Sequence, residues 1–140
     1  MRKKILLSVF IIFLILSLVG CSGITTPPLH NAEEILMTVN NYWVALSNRE
    51  FELAKTYCIP NGNAYQMIEG YQNTPYFASS TLVFTAYLNY IETNGNNSKV
   101  NINLTLTATV CFDEICSSSN ETINNFSMYL NKIDGVWKLK

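Results

Sequence analysis

The side chains of this 140-residue chain best suited to chemistry are four cysteines (Cys21, Cys58, Cys111 and Cys116), one histidine (His30) and ten acids. Cys111 and Cys116 flank Phe112-Asp113-Glu114-Ile115, a segment short enough for the two thiols to meet across a hairpin wherever the compartment is oxidising. Closing so small a loop contributes about 2 kcal/mol in the chain-entropy model. A bridge from Cys58 to either of them, or no bridge, are the alternatives. Unbridged, Cys58 is a small buried hydrophobe. Cys58, Cys111 and Cys116 with no histidine nearby fall short of a metal-ligand set, so neither metal nor other cofactor is expected. General acid–base work needs a carboxyl or imidazole taken out of water. His30 falls in a polar linker, and Asp113, Glu114 and Asp134 fall at turns. Glu69 and Glu92 each end an element facing water. No catalytic residue is assigned, and the domain is read as not an enzyme.

Cys21 has a different chemistry, set by what precedes it. Arg2, Lys3 and Lys4 form a positive start, and Ile5 to Val19 is apolar apart from Ser8 and Ser17. That run is shorter than the roughly 20 residues of a membrane-spanning helix, and with the small Gly20 it has the layout of a secretory signal. Leu18-Val19-Gly20-Cys21 resembles the lipobox of prokaryotic lipoproteins. The resemblance implies a signal peptide over 1–20, cleavage before Cys21 and lipidation of its thiol, palmitate being among the chains such proteins carry. Several acyl chains hold a protein stably on a membrane where one does so only marginally. The expected location is the cell membrane, facing outside the cytoplasm. An uncleaved anchor and a free secreted protein are the alternatives. Without residues 1–20 the chain has six Lys/Arg against ten Asp/Glu, a formal charge of −4. So acidic a domain lacks the positive field that nucleic-acid binding needs, and no basic cluster supports membrane-surface binding without the lipid.

Residues 21–31 read as the lipidated cysteine and a linker stiffened by Pro27-Pro28. The domain spans 32–140. Its first helix is expected from Ala32, capped by Asn31 with Glu34 completing a capping box. Ile35, Leu36, Val39, Trp43 and Leu46 make one apolar stripe ending at Ser47. A second helix is expected over Arg49 to Cys58, stopped ahead of Pro60, and a weaker third over Ala64 to Gly70. Tyr71 to Ser80 reads as loop. From Thr81 the period becomes two, with Leu82, Phe84, Ala86, Leu88 and Tyr90 on one side. Asn94-Gly95 is a hairpin signal. The next strand puts Val100, Ile102, Leu104, Leu106, Ala108 and Val110 on one face and Asn101, Asn103, Thr105, Thr107 and Thr109 on a wet one. A turn at Asp113-Glu114 leads through a polar run to a third strand at Phe126, Met128 and Leu130. Asp134-Gly135 then turns into Val136–Leu139, where register, and so the side Trp137 faces, is weakly specified. Helices followed by a meander make an α+β domain.

Two stretches resemble the nuclear-transport-factor-like superfamily. They are Tyr42-Trp43-Val44-Ala45-Leu46-Ser47-Asn48-Arg49-Glu50-Phe51-Glu52-Leu53-Ala54-Lys55 and the closing Asp134-Gly135-Val136-Trp137-Lys138-Leu139. The resemblance implies N-terminal helices packed on the concave face of a curved antiparallel sheet, forming a cone with room for a pocket. Ketosteroid isomerases, dehydratases and polyketide cyclases of that superfamily place an acid or histidine inside the cone, and no residue here matches that role.

Trp43, Tyr57, Phe84, Tyr90 and Trp137 could line such a cone, as ordinary core or around a small apolar ligand. The Asn/Thr face carries few charges and suits a protein partner or a homodimer. Sequons at Asn96, Asn103, Asn120 and Asn125 occur at about the frequency that composition alone gives. The expected function is a tethered, non-catalytic binding or interaction module. A small-molecule isomerase or cyclase-type enzyme and an accessory subunit of an envelope complex are the alternatives.

Overall fold

A computed structural model describes residues 29–75, 77 and 80–140. The signal segment, Cys21 and the linker up to residue 28 lie outside the described residues. Helix α1 spans Leu29–Ser47, α2 Phe51–Thr56 and α3 Asn63–Asn73. Strands β1 (Thr81–Asn94), β2 (Asn97–Phe112), β3 (Ile115–Ile133) and β4 (Val136–Leu139) follow as an antiparallel meander in the order β1-β2-β3-β4. The helices lie against one face of this sheet, and the α+β architecture matches the expectation from sequence.

Helix α1 buries Ile35, Val39, Tyr42, Trp43, Ala45 and Leu46, one stripe at helical spacing. Its start differs from the expectation. The first turn begins at Leu29, and Asn31 and Glu34 do not form a capping box. Lys132 of β3 takes both, its Nζ lying 3.0 Å from Asn31 Oδ1 and 3.1 Å from Glu34 Oε2. A cation from the sheet thus engages the two side-chain oxygens that a local capping box would have used. His30 consequently sits in the first turn of α1 rather than in a linker, its Nε2 3.1 Å from Glu34 Oε1. The helix ends where Arg49 enters the left-handed region (φ 61°), while Glu50 N–H donates to Ala45 O at 2.8 Å. Ser47 fastens this end to the sheet, accepting from Phe84 N–H at 3.0 Å and donating to Trp43 O at 2.9 Å.

Helix α2 is shorter than Arg49–Cys58 because β4 captures the segment after it. Cys58 forms a parallel bridge with Leu139, and Leu139 N–H donates to Tyr57 O at 2.8 Å. Helix α3 runs to Asn73, past Gly70, and buries Ala64 and Ile68.

Sheet register explains the largest departures. The first hairpin turns on Gly95-Asn96, one residue later than Asn94-Gly95, with Asn94 opposite Asn97 and Gly95 at φ 58°. Positive φ at the first central residue alone belongs to the type II′ family, for which glycine is suited. Asp134 and Gly135 both have positive φ, as a type I′ turn requires. A bulge at Asn89 shifts β1 against β2 between Leu88 and Tyr90. Since side chains alternate with period two, one extra residue exchanges the faces. Ile91 therefore packs toward the core, and Tyr90 lies on the outer face opposite Asn101. A second bulge interrupts the β2–β3 pairing between Ile102 and Leu104, with Asn125 at φ 58°. Strand β3 begins at Ile115 rather than after the polar run. Its first half is exposed on both faces, held by the ladder to β2 without helices covering it.

Candidate functional site

The space between helices and sheet is filled by aromatic rings. Trp43, 2% exposed, lies 4.9 Å from Tyr42, 5.1 Å from Phe84 and 6.3 Å from Phe126 between ring centroids. Tyr71 extends the cluster, 5.7 Å from Phe84 and 4.7 Å from Phe77. Of the five aromatics expected around a cone interior, Trp43 and Phe84 stack on one another. Trp137 is buried on the helix-facing side with Leu139, its ring 5.5 Å from Lys132 Nζ. Tyr57 is half-buried at the rim, and Tyr90 is on the opposite face of the sheet. The buried polar residues among those described are Ser80, Ser98 and Asn101. Glu69, Glu92, Asp113, Glu114 and Asp134 are exposed.

Burial also sets the titration of the interior. The Tyr42 hydroxyl is driven well above the usual phenol range by desolvation, with Cys58 and Tyr71 adding to it. Burial pushes the Cys58 thiol up to about 12, against a smaller opposing effect of Lys138. Cys58 is therefore a protonated packing residue and not a thiolate nucleophile. Among the described side-chain carboxyls, Glu34 alone has a clear shift, held below the usual range chiefly by its hydrogen bond from Lys132. Among the described residues no three His, Cys, Asp or Glu side chains meet as a metal site.

Among the described residues, grooves open at two places on the rim. The larger, about 480 Å³, lies between the start of α3 and β3 and is lined by Ala64, Met67, Phe126, Met128, Leu139 and Lys140 among others. None of the five expected aromatics lines it. The smaller, about 270 Å³, runs between α1 and β4, and Tyr57 and Trp137 border it with Glu34 and Met37. Phe84 borders a crevice of only about 10 Å³.

Cys111 and Cys116 stand opposite each other at the end of the β2–β3 hairpin, their sulfurs joined at 2.02 Å. Cys58 is free and buried. Both residues next to the turn, Phe112 and Ile115, are exposed. Reducing this bridge is expected to lower stability by up to about 2 kcal/mol, the chain-entropy value for so short a loop. Thermal melts with and without reductant measure it. An unchanged melt would mean that the bridge restrains only the hairpin end.

The outer face of the sheet is the surface that sequence reading left coarsest. Asn101 was expected to be wet and is 3% exposed, held in a network with Asn89, Asn125 and Ser127. Thr105 bonds to Thr122 at 3.1 Å and Thr109 to Ser118 at 2.8 Å. Tyr87, Tyr90 and Tyr129 stand out from it, 63%, 41% and 54% exposed. The residue types of this face were legible in the sequence. The two bulges that gather its asparagines gave no signal there.

No family model matches the chain, and no curated protein is similar to it in sequence. Solved structures are similar in shape. A protein of unknown function from Mycobacterium tuberculosis is 12% identical, with a TM-score of 0.59 over 86% of this chain and 73% of that one. A nuclear transport factor 2-like superfamily protein from Salmonella enterica serovar Typhimurium is 19% identical, with a TM-score of 0.56 over 76% and 84%. A candidate scytalone dehydratase from Novosphingobium aromaticivorans is 15% identical, with a TM-score of 0.53 over 80% of each chain. Likeness at such identities is one of fold, and the fold of this chain is the nuclear-transport-factor-like α+β cone.

Proposed function

We propose that this chain is an extracytoplasmic lipoprotein, tethered to the membrane through Cys21, whose domain is a non-catalytic binding module working through the outer face of its sheet. The contrast between the two faces of that sheet carries the reading. The helix-facing side is occupied by Trp43, Phe84, Phe126 and their neighbours. From β1 to β3, the outer side offers threonine, serine, asparagine and tyrosine, with the exposed Val83 and one opposed charge pair, Glu92 and Lys99. A face with so few charges is desolvated at low cost when a partner covers it.

The tether rests on Leu18-Val19-Gly20-Cys21. Cys21→Ser is expected to abolish lipid labelling and either release the domain or leave an unprocessed precursor. Fractionation of the producing cells checks this. A Cys21→Ser chain that stays with membranes as a processed form of wild-type mass would sink the tether. A second reading, an isomerase or cyclase-type enzyme, draws on the likeness to the candidate scytalone dehydratase and on the 480 Å³ groove. The lining of that groove is mostly apolar, with Asn63, Ser127, Tyr129 and Lys140 its polar members, which suits a small apolar ligand better than acid–base catalysis.

A further inference from the structure

From the outer face of the sheet we infer a docking site for a neutral, hydroxyl-rich saccharide, built on Asn89 and Asn103 and flanked by Tyr87 and Tyr90. The inference rests on the binding-module reading and names the ligand class for that same face. The two bulges lie on either side of β2 at the level of Asn101 to Asn103, and they bring four asparagines together. Asn89, the extra residue of the first bulge, donates from Nδ2 to Asn101 Oδ1 at 2.8 Å and to Asn103 Oδ1 at 3.0 Å. Asn125, at the second bulge, donates its backbone N–H to Asn103 Oδ1 at 3.1 Å. Asn101 Nδ2 donates to Asn125 O at 3.1 Å and to Ser127 Oγ at 3.3 Å.

These bonds fix which way the amides face. Asn103 Oδ1 accepts two donors, so flipping that amide would set its NH₂ against both. Its Nδ2 is thereby turned away from the network. Both protons of Asn89 Nδ2 are committed, which leaves Asn89 Oδ1 free. The result is a donor on one amide and an acceptor on the amide hydrogen-bonded to it, each without a partner among the described residues. Bulges are a recognised way of re-aiming side chains at functional surfaces, and asparagine suits the left-handed backbone that the second bulge requires at Asn125.

The surroundings select the ligand. Tyr87 stands directly across from Asn103, and Tyr90 across from Asn101. Lys99 holds the Tyr90 ring, with Nζ 3.3 Å from its hydroxyl and 5.6 Å from the ring centre. An exposed tyrosine offers an apolar face and a polar tip, which matches the C–H face and hydroxyl rim of a pyranose. Neighbouring sugar hydroxyls each donate and accept, so one pair satisfies both free amide groups at once. An apolar protein surface laid over the same spot would leave them unpaired, at the cost of burying unsatisfied polar atoms. Glu92 and Lys99 oppose each other in register and leave the β1–β2 part of the face around the asparagines without net charge, so neither polyanionic nor polycationic ligands are favoured there.

The test is NMR titration of the full chain with maltohexaose, cellohexaose and chitohexaose, with heparin as the charged comparison. At least one neutral hexasaccharide should shift the Asn89 and Asn103 side-chain amide signals, and heparin should not. Tyr87→Ala and Asn103→Asp should each weaken that binding at least tenfold while leaving the far-UV spectrum and melting temperature near wild type. Met67→Ala, in the α3–β3 groove, should leave it unchanged. Saccharide shifts confined to that groove, or binding indifferent to both outer-face variants, would overturn the inference. Should no glycan bind but the chain form a dimer that Tyr87→Ala dissolves in sedimentation, the saccharide reading is wrong and the binding-module reading stands. Should neither glycan binding nor self-association involve Tyr87, both lose their support.

Discussion

Replacing Trp43 by alanine is expected to lower the stability of the domain by about 3–5 kcal/mol, the usual range for truncating a large aromatic in a packed core. Trp43 lies at the centre of the ring cluster, against Tyr42, Phe84 and Phe126. Its backbone carbonyl also accepts the Ser47 hydroxyl that ties α1 to β1. Truncation therefore opens a cavity where helix and sheet meet, and the surrounding rings are too rigid to collapse into it. A domain of this size has about 5–15 kcal/mol in all, so the variant should unfold at much lower denaturant with a similar slope. Thr105→Ala serves as control. It removes one hydroxyl contact, to Thr122 on the outer face, and should cost about 0.5 kcal/mol. A denaturant titration in which Thr105→Ala is the more damaging change would mean that the stability of the domain resides on the outer face.

Gly62→Ala is expected to cost about 1–3 kcal/mol, the range for forcing extra atoms into a packed place. The backbone dihedrals of Gly62 (φ −71°, ψ 170°) suit any residue, so the requirement is one of space. A Cβ there would lie 2.8 Å from the carbonyl carbon of Lys140 and 3.1 Å from Ile59 O. Both contacts are backbone, and the Lys140 carbonyl oxygen is engaged by Ala64 N–H at 2.8 Å. Making room means losing that bond, and with it the docking of the last strand on the start of α3. Gly70→Ala gives the opposite sign. A Cβ at Gly70 meets nothing within 4 Å, and alanine in a helix is favoured over glycine by about 1 kcal/mol. Urea midpoints for the pair, with hydrogen exchange at Ala64, separate crowding from a general intolerance of substitution in α3.

Local signals in the sequence determined the class of fold and most of its elements. The stripe Ile35, Val39, Trp43 and Leu46, the alternation through Val100 to Ala108 and the turn at Asp134-Gly135 each state their own geometry, because helix and strand periodicity and the φ demands of a tight turn act over a few residues. The spacing that set Cys111 and Cys116 facing each other is local in the same sense. Tertiary structure alone decided the rest. Lys132 reached Asn31 and Glu34 from about a hundred residues away and took up the side-chain oxygens that a capping box would have used. Leu139 shortened α2 by bridging to Cys58. The first half of β3 is a strand only because β2 supplies its ladder, and with no layer covering it the alternation that marks a strand was absent. The bulge at Asn89 sent Tyr90 to the outer face and gathered the asparagines. A one-residue slip in pairing has no composition or period of its own. It is settled by how two strands far apart in the chain fit the curvature of the sheet around the helices.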